Sequence, residues 1–320
     1  MAQGGDDHTR KLPARRQDRI AEGVQLIRMR EMLKTALSEG YAVGYFEAWD
    51  EYSLEAVLEA AEECRAPVIL GFGCALVDQG WYEAGGGRRL AALGLAAAEG
   101  AKVPVCLLLN EAKTFDQVER GLAWGFNAVM LDTSHLPLAE NIVATRRVSQ
   151  AAHALGADVE GEVGRLPDAS GALGGPAESA LTDPEEAARY VEETAVDALA
   201  VSIGNVHIMT EGDARIDFER LAVLRRAVSV PLVVHGGSGF PDSAVPRAVA
   251  LGVAKFNVGT VLKQAFLKGL QEAVAALPRQ SDLQQAIGSR KAGDLLQRAK
   301  QRVKAEVSRR IMVYGSAGKA

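Results

Sequence analysis

Two histidines, His207 and His235, stand where a metal site could form. Each follows a short apolar run, and the two runs, 198–203 and 231–234, are consecutive predicted strands. The ends of neighbouring strands are close enough for the two imidazoles to share one ion. Glu111, which follows an earlier run, could supply a third ligand from across the mouth. This set suits catalytic Zn²⁺, Fe²⁺ or Mn²⁺ and leaves positions for water or substrate. The alternative is that each histidine only hydrogen-bonds a backbone carbonyl.

A glycine-rich segment directly follows His235 and offers a site for an anion. Its glycines let the backbone approach a ligand, and Ser238 adds a hydroxyl donor. After the next apolar run, Thr260 begins a predicted helix whose free amide groups favour an anion. Two ordinary turns would use the same glycines, but phosphate sites after strands seven and eight recur in α/β barrels. The predicted phosphate-binding residues are Gly236, Gly237, Ser238, Asn257, Gly259 and Thr260.

Short apolar runs alternate with longer amphipathic segments along the chain, and this pattern predicts the fold. The expected strands are 41–46, 67–72, 103–109, 128–131, 158–163, 198–203, 231–234 and 254–258. The expected helices between and after them are 53–63, 88–99, 115–124, 139–155, 183–194, 217–227, 242–250 and 260–276. Eight such alternations favour a parallel (β/α)₈ barrel over an open doubly wound sheet. In this barrel the C-terminal ends of the strands carry the chemistry.

The chain ends and the helix starts complete this organisation. Residues 1–17 are polar and charged and are expected to be disordered, and residues 18–320 are expected to form one domain. An additional helix is predicted within 17–40, and a charged helical extension is predicted over 283–312. The predicted N-terminal caps are Ser53, Thr114, Asp183 and Asp217.

Composition narrows the class of protein. Hydrophobic residues make up 48% of the 320 residues and aromatic residues only 5%, which is typical of a helix-covered parallel sheet built from small aliphatic side chains. The 36 basic and 41 acidic residues give a net charge of −5, which does not favour nucleic acid or an anionic membrane as a partner. Three scattered cysteines and the lack of an apolar signal or spanning segment predict a cytoplasmic protein.

Several longer segments also carry a family resemblance. The most specific are Tyr41–Phe46, Gly125–Pro137, Val159–Leu166, Asp197–Gly204 and Val234–Gly239. They resemble the class II, metal-dependent ketose-bisphosphate aldolases, which include the fructose- and tagatose-bisphosphate enzymes. The resemblance extends from about Met32 to the C-terminus. It implies a lyase that reversibly cleaves a ketose (bis)phosphate into dihydroxyacetone phosphate and an aldehyde.

The resemblance also implies roles for individual residues. His207 and His235 match zinc ligands, and the two glycine-containing loops match the segments that hold a sugar phosphate. Gly204 is carried over as a further substrate-binding residue. Asp132 and Glu162 match positions that support the metal or an alternative metal position. A homodimer or homotetramer is expected on the same ground.

The chain departs from the family where the acid/base chemistry lies. The family reads Leu-Asp-His-Gly after the third strand, and this chain has Asn110 and Glu111 at the two middle positions. An amide cannot exchange a proton as a carboxyl group does, so Asn110 cannot be the acid/base. The chain departs from the family at four further positions. Glu47 stands where the family has asparagine, Gly73 where it has a serine that binds the distal phosphate, Ser170 where it has a loop glutamate, and Ile208 where it has glycine.

These exchanges suggest an altered site. A carboxylate is lost at Asn110 and another is gained at Glu47, and a histidine ligand is exchanged for Glu111. We hypothesise that Glu47 transfers the proton and that Glu111 completes a site of two histidines and one carboxylate. The alternative is that Glu47 forms only a salt bridge at the rim. Two other functions stay open: an isomerase or epimerase that uses the same enediolate, and a non-catalytic protein that binds a sugar phosphate.

Overall fold

The computed structural model describes residues 26–75, 77–169, 181–209, 212 and 214–320. Residues 1–17 and Ser170, for which the sequence analysis makes predictions, lie outside these ranges. Eight parallel strands close into a barrel in chain order, with β1 paired to both β2 and β8. The strands are β1 Val43–Glu47, β2 Val68–Gly73, β3 Val105–Ala112, β4 Ala128–Leu131, β5 Asp158–Val163, β6 Ala198–Val201, β7 Leu232–Val234 and β8 Val253–Val258. The predicted (β/α)₈ barrel is confirmed.

Helices surround the barrel and follow the predicted alternation. They are α1 Met29–Glu39, α2 Glu51–Cys64, α3 Gln79–Trp81, α4 Gly87–Glu99, α5 Phe115–Trp124, α6 Leu138–Ala154, α7 Pro184–Thr194, α8 Phe218–Ala227, α9 Val245–Ala250, α10 Thr260–Ala275, α11 Leu283–Ala286 and α12 Leu295–Tyr314. A π-helical segment, Tyr82–Gly86, joins α3 to α4. None of the helices in the described ranges is long and apolar enough to cross a membrane.

Some predicted boundaries were wrong, for local physical reasons. Ser53 is not the N-cap of α2, because Asp50 accepts from the Ser53 amide and the Ser53 hydroxyl accepts from the Asp50 amide, which forms a capping box. The other three predicted caps are confirmed. The C-terminal extension is not continuous, since α11 ends at Ala286 and α12 begins at Leu295 with Asp294 as its cap.

Small aliphatic side chains fill the barrel interior, as the low aromatic content predicts. Ala128, Ala198, Ala200 and Ala254 are fully buried there. Helix α1 contributes to the same cluster, with Met29 and other apolar side chains packed beneath the strands. A fully buried side chain of the size of Met29 contributes about 1.5–3 kcal/mol through the hydrophobic effect, and an alanine contributes less. The N-terminal end of the barrel is thus a packed floor, and polar side chains collect toward the opposite end.

Candidate active site and metal centre

Glu111 enters the mouth of the barrel through an irregularity in β3. The prediction placed it after the strand, but β3 continues to Ala112, and its register against β4 shifts between Leu109 and Ala112. Glu111 has φ 52°, a left-handed conformation that is unfavourable for a residue with a β-carbon. Such bulges redirect a side chain. Here the Glu111 Oε1 atom lies 3.4 Å from Nδ1 of His235.

His235 directly follows β7 and is oriented by a buried carboxylate. Its Nε2 atom lies 2.7 Å from Glu160 Oε1, and both side chains are almost completely buried. An ionised carboxylate only accepts, so Nε2 donates and the lone pair of the neutral ring is on Nδ1. Nδ1 is buried and has no hydrogen-bond partner among the described residues. A buried nitrogen with a free lone pair beside a carboxylate is what a metal ligand requires.

A buried lysine holds Glu160 in place. Lys255 Nζ lies 2.7 Å from Glu160 Oε2, and neither side chain is exposed. Lys255 also donates to the Asn257 amide oxygen. Burial would raise the pKa of Glu160, but the charge of Lys255 and the hydrogen bond with His235 lower it. The network thus keeps Glu160 ionised and fixes the ring of His235.

His207 reaches the site on a loop and not at a strand end as predicted. Strand β6 ends at Val201, and His207 forms a bridge with Asp168, with its amide donating to the Pro167 carbonyl at 2.9 Å. Its ring stacks on that of His235 with centroids 5.6 Å apart. Asn205, buried in the same loop, donates to the His235 carbonyl at 2.9 Å. This bond couples the positions of the two histidines.

The three predicted ligands come together. One ligand atom from each of Glu111, His207 and His235 lies within 4.8 Å of the others. Burial would raise the pKa of Glu111, but the close approach of the His235 ring and the charges of both histidines lower it to about 2. Burial lowers the pKa of His207 and favours the neutral ring that binds metal. For His235, burial acts in the same direction, but the neighbouring carboxylates of Glu111 and Glu160 outweigh it and raise its pKa to about 10. These donors fit a divalent cation, which would take the place of the proton on His235.

The glycine-rich loop after His235 packs tightly against the loop after β8. Gly236 has φ 68°, and a β-carbon on it would overlap the Val206 carbonyl. A β-carbon on Gly237 would lie 2.7 Å from the Asn257 carbonyl oxygen. The Ser238 hydroxyl accepts from the Val261 amide at 3.2 Å, so it joins this loop to the N-terminus of α10. Free amide groups beside a helix N-terminus are the donors that an anion site requires.

Arg310 of α12 supports this loop from behind. Its guanidinium donates to the carbonyls of Gly237 at 3.0 Å and Ser238 at 3.2 Å, and the side chain is almost fully buried. Glu306 accepts from Arg310 Nε at 2.8 Å. With the carbonyls drawn toward Arg310, the peptide groups of the loop are held in one orientation. The C-terminal helix therefore helps to shape the predicted phosphate site.

Glu47 lies in the mouth but has a cationic partner. Its Oε1 atom is 2.8 Å from Lys263 Nζ on α10. The carboxylate lies between two glycines: a β-carbon on Gly73 would be 3.1 Å from Oε1, and one on Gly259 would overlap Oε2. Glu47 therefore forms the salt bridge of the alternative interpretation and also lines the cavity of the candidate metal site, and its role in proton transfer stays a prediction.

Most of the predicted residues line one cavity of about 290 Å³ at the C-terminal end of the strands. They are Glu47, Asn110, Glu111, His207, His235, Gly236, Ser238, Asn257, Gly259 and Thr260. Gly237 lies in the same loop without lining the cavity. Gly204 lines a separate surface depression, and its φ of 96° and close approach to the Arg215 carbonyl explain the glycine.

Asp132 and Glu162 line a smaller neighbouring cavity of about 90 Å³, which they share with Glu111 and His207. Burial raises the pKa of Glu162 to about 8, helped by the charges of Asp132 and Glu111. The Glu162 Oε2 atom lies 3.9 Å from His235 Nδ1. The structure therefore brings the two predicted alternative ligands beside the three primary ones.

Sequence reasoning missed four contributors: Tyr45 and Lys263 in the cavity wall, Glu160 behind His235, and Arg310 behind the phosphate loop. The alternation of inward and outward side chains along β1 and β5 could have indicated Tyr45 and Glu160. No sequence signal links Lys263 or Arg310 to the site, because each contact joins distant segments.

Comparisons with known proteins agree with this geometry. The family model for class II fructose-bisphosphate aldolase matches residues 27–319. A fructose-bisphosphate aldolase from Thermus caldophilus is 35% identical over 314 residues, which cover 91% of this chain and 98% of that protein. The crystal structure of the YdjI aldolase from Escherichia coli K12 aligns with a TM-score of 0.77 and 31% identity, over 92% of this chain and all of that one.

A second solved structure, a putative fructose-1,6-bisphosphate aldolase from Coccidioides immitis, aligns with a TM-score of 0.78 and 27% identity. The alignment covers 91% of this chain and 97% of the chain of that structure. The family match over most of the chain and the identity to a curated aldolase together show the family. This chain belongs to the class II fructose-bisphosphate aldolases and is a lyase of the aldolase type.

Proposed function

We propose that the chain catalyses the Zn²⁺-dependent, reversible aldol cleavage of a phosphorylated ketose into dihydroxyacetone phosphate and an aldehyde. The single observation that supports this most strongly is the unpartnered Nδ1 of His235, 3.4 Å from the Glu111 carboxylate and beside the glycine-rich loop. Aldolase relatives favour carbon–carbon cleavage over the isomerase and binding-protein alternatives. Fructose 1,6-bisphosphate is the first substrate to test, since the similar structure from Coccidioides immitis is described as a putative aldolase of this sugar.

Glu111, His207 and His235 would hold the metal. When bound, Zn²⁺ supplies a Lewis acid that polarises the ketone of the substrate. Two histidines and one carboxylate are a known catalytic set for zinc. Glu160 orients His235 from the opposite side of the ring, and this contact fixes the nitrogen that faces the cavity. Asp132 and Glu162 are proposed to receive the metal in an alternative position.

The phosphate of the dihydroxyacetone half would bind at the two loops and the N-terminus of α10. Gly236, Ser238, Asn257 and Thr260 line the cavity there, and Gly237 and Gly259 allow the backbones to approach. Gly204 is proposed to act indirectly, through the loop that carries His207. Amide donors and a helix N-terminus together attract a phosphate without a net positive charge on the whole protein.

Glu47 is the proposed proton-transfer group, because Asn110 cannot exchange a proton. The ion pair with Lys263 holds the Glu47 carboxylate at the mouth, and a carboxylate in this state can accept a proton from a substrate hydroxyl. Lys263 is only partly buried and lines the same cavity, so it can also contact an anionic substrate.

We further propose one catalytic domain over residues 18–320, which assembles as a homodimer or homotetramer in the cytoplasm. The three cysteines are free, which fits a reducing compartment. Size-exclusion chromatography with light scattering would measure the subunit number.

The test combines two measurements on the purified protein. Its metal content is analysed, and its cleavage of a panel of ketose monophosphates and bisphosphates is assayed by detecting the triose phosphate that is released. Glu47→Gln is expected to keep the metal and lose at least ~100-fold in kcat, a typical contribution of general acid–base catalysis. Glu111→Ala is expected to lose the metal. Glu140→Gln, at an exposed position on α6, is the matched control. Full activity of Glu47→Gln would refute the role of Glu47, and a metal-free active wild type would refute the proposed function.

A further inference from the structure

The floor of the mouth cavity contains a tyrosine hydroxyl that the proposed chemistry does not use. Tyr45, on β1, is 2% exposed and lines the cavity with Glu47, Asn110 and the metal-site residues. Its hydroxyl is buried and has no hydrogen-bond partner in the described part of the chain. A buried polar group without a partner is unfavourable, and a phenylalanine would fill the same space without it. The hydroxyl therefore calls for a partner that enters the cavity.

A second unpartnered polar atom lines the same cavity. The Asn110 side-chain oxygen on β3 is also buried, and no described residue donates to it. The phenol of Tyr45 is a donor, and the Asn110 oxygen is an acceptor. Burial raises the pKa of Tyr45 well above its usual value, with Glu47 and Glu111 adding to the effect, so the phenol keeps its proton. The hydroxyl of an alcohol fits this pair, since it can accept a hydrogen bond from Tyr45 and donate one to Asn110.

The Tyr45 ring is placed precisely enough to recognise such a group. Lys255 Nζ lies 5.0 Å from the ring centroid, in cation–π contact with it. On β2, Gly71 makes room for the ring, since a β-carbon there would overlap Cε2 of Tyr45. Above it, Gly73 makes room for the neighbouring Glu47 in the same way. Two large inward side chains on β1 are thus matched by two glycines on β2.

We propose that Tyr45 and Asn110 form a subsite that binds one hydroxyl group on the aldehyde half of the substrate and that Tyr45 determines specificity for hydroxylated aldehydes. This inference rests on the proposed function. The phosphate loops follow β7 and β8, and β1, which carries Tyr45, pairs with β8 so that Tyr45 lies opposite Asn257. Asn110 lies farther round the barrel on β3, next to the metal ligand Glu111. With dihydroxyacetone phosphate at those loops, the proposed course of the substrate runs past Tyr45 toward Asn110, and the aldehyde half lies between these two side chains.

The test uses the aldol-forming direction with dihydroxyacetone phosphate and two pairs of aldehydes that differ by one hydroxyl group. The pairs are glycolaldehyde with acetaldehyde, and glyceraldehyde with 2-hydroxypropanal. Tyr45→Phe is expected to lower kcat/KM roughly tenfold or more for the hydroxylated member of at least one pair, and to leave its partner within about twofold. Tyr41→Phe, which removes the hydroxyl of another tyrosine with a buried side chain, just before β1, is the matched control.

Two results would overturn the proposal: an unchanged ratio for both pairs, or an equal loss with all four aldehydes. A structural role would instead lower the unfolding temperature, whereas loss of an unpartnered hydroxyl leaves it unchanged or higher. Thermal shift with xylulose 1-phosphate, the aldol product of dihydroxyacetone phosphate and glycolaldehyde, separates failure of the subsite from failure of the aldolase assignment. If the wild type forms no aldol product but xylulose 1-phosphate stabilises it more than Tyr45→Phe, the subsite stands and the proposed function fails. If xylulose 1-phosphate stabilises both proteins equally or neither, the subsite is refuted.

Discussion

Replacing Glu160 by glutamine tests whether the buried network behind His235 organises the metal site. Glu160 accepts from His235 Nε2 at 2.7 Å and pairs with Lys255 Nζ at 2.7 Å, and neither Glu160 nor Lys255 is exposed. Glutamine keeps the shape and removes the charge. Lys255 then becomes a buried cation without its partner, and His235 donates to a weaker acceptor.

Two effects of different kind are expected. Removing one partner of a buried ion pair costs about 3–5 kcal/mol of unfolding free energy. Weakening the group that orients a metal-binding histidine costs about 10–100-fold in metal affinity. Burial already lowers the pKa of Lys255, and loss of Glu160 removes the charge that most opposes this effect. The pKa of Lys255 in the folded variant is then lowered further below the unfolded lysine value of about 10.4, so the destabilisation grows as pH falls below that value.

The double variant Glu160→Gln/Lys255→Met separates the two effects. Methionine fills the space of Lys255 without a charge, so the double variant is expected to recover most of the lost stability while its metal affinity stays low. Urea unfolding of the metal-free proteins measures the first quantity, and competition with a zinc chelator measures the second. Equal stability of the single and double variants would refute the ion-pair reasoning. Unchanged zinc affinity in the double variant would refute the orienting role of Glu160.

Two further variants test the surroundings of the cavity. Gly259→Ala places a β-carbon on the Glu47 carboxylate, so kcat is expected to fall at least ~10-fold while the zinc content stays unchanged. Gly100→Ala is the control, because its added β-carbon meets no atom within 4 Å. A normal kcat in Gly259→Ala would contradict the placement of Glu47. Arg310→Lys loses the simultaneous contact with two loop carbonyls, so KM for phosphorylated substrates is expected to rise ~10-fold while kcat stays within about twofold of the wild type. Arg302→Lys, which changes an exposed ion pair, is the control. An unchanged KM in Arg310→Lys would contradict the support of the phosphate loop by Arg310.

The alternation of apolar runs and amphipathic segments was sufficient to predict the barrel, because each strand is short, buried and followed by its own helix. It also placed His235 and Glu47 at the mouth, since the chain order fixes which strand ends are neighbours. It did not predict the bulge that turns Glu111 inward. That conformation, with φ 52°, depends on the register between β3 and β4.

The remaining parts of the site depend on contacts between distant segments. Lys263 pairs with Glu47 only because α10 begins beside β1 in the closed barrel, and Arg310 reaches the loop after β7 only because α12 packs there. The inward orientation of Tyr45 follows from strand alternation, but its missing hydrogen-bond partner is visible only in three dimensions. Local patterns in the sequence predict the strands and the residue types of the ligands. Which side chains have hydrogen-bond or ion-pair partners depends on the tertiary structure.

X-ray diffraction at the zinc absorption edge, from crystals of the protein equilibrated with zinc, tests whether the three side chains bind the metal. We expect one strong anomalous peak between Glu111, His207 and His235, at about 2.0–2.2 Å from one atom of each side chain, with Nδ1 as the ligand atom of His235. A zinc ion elsewhere, or none with both histidines still bonded only to protein, would contradict it.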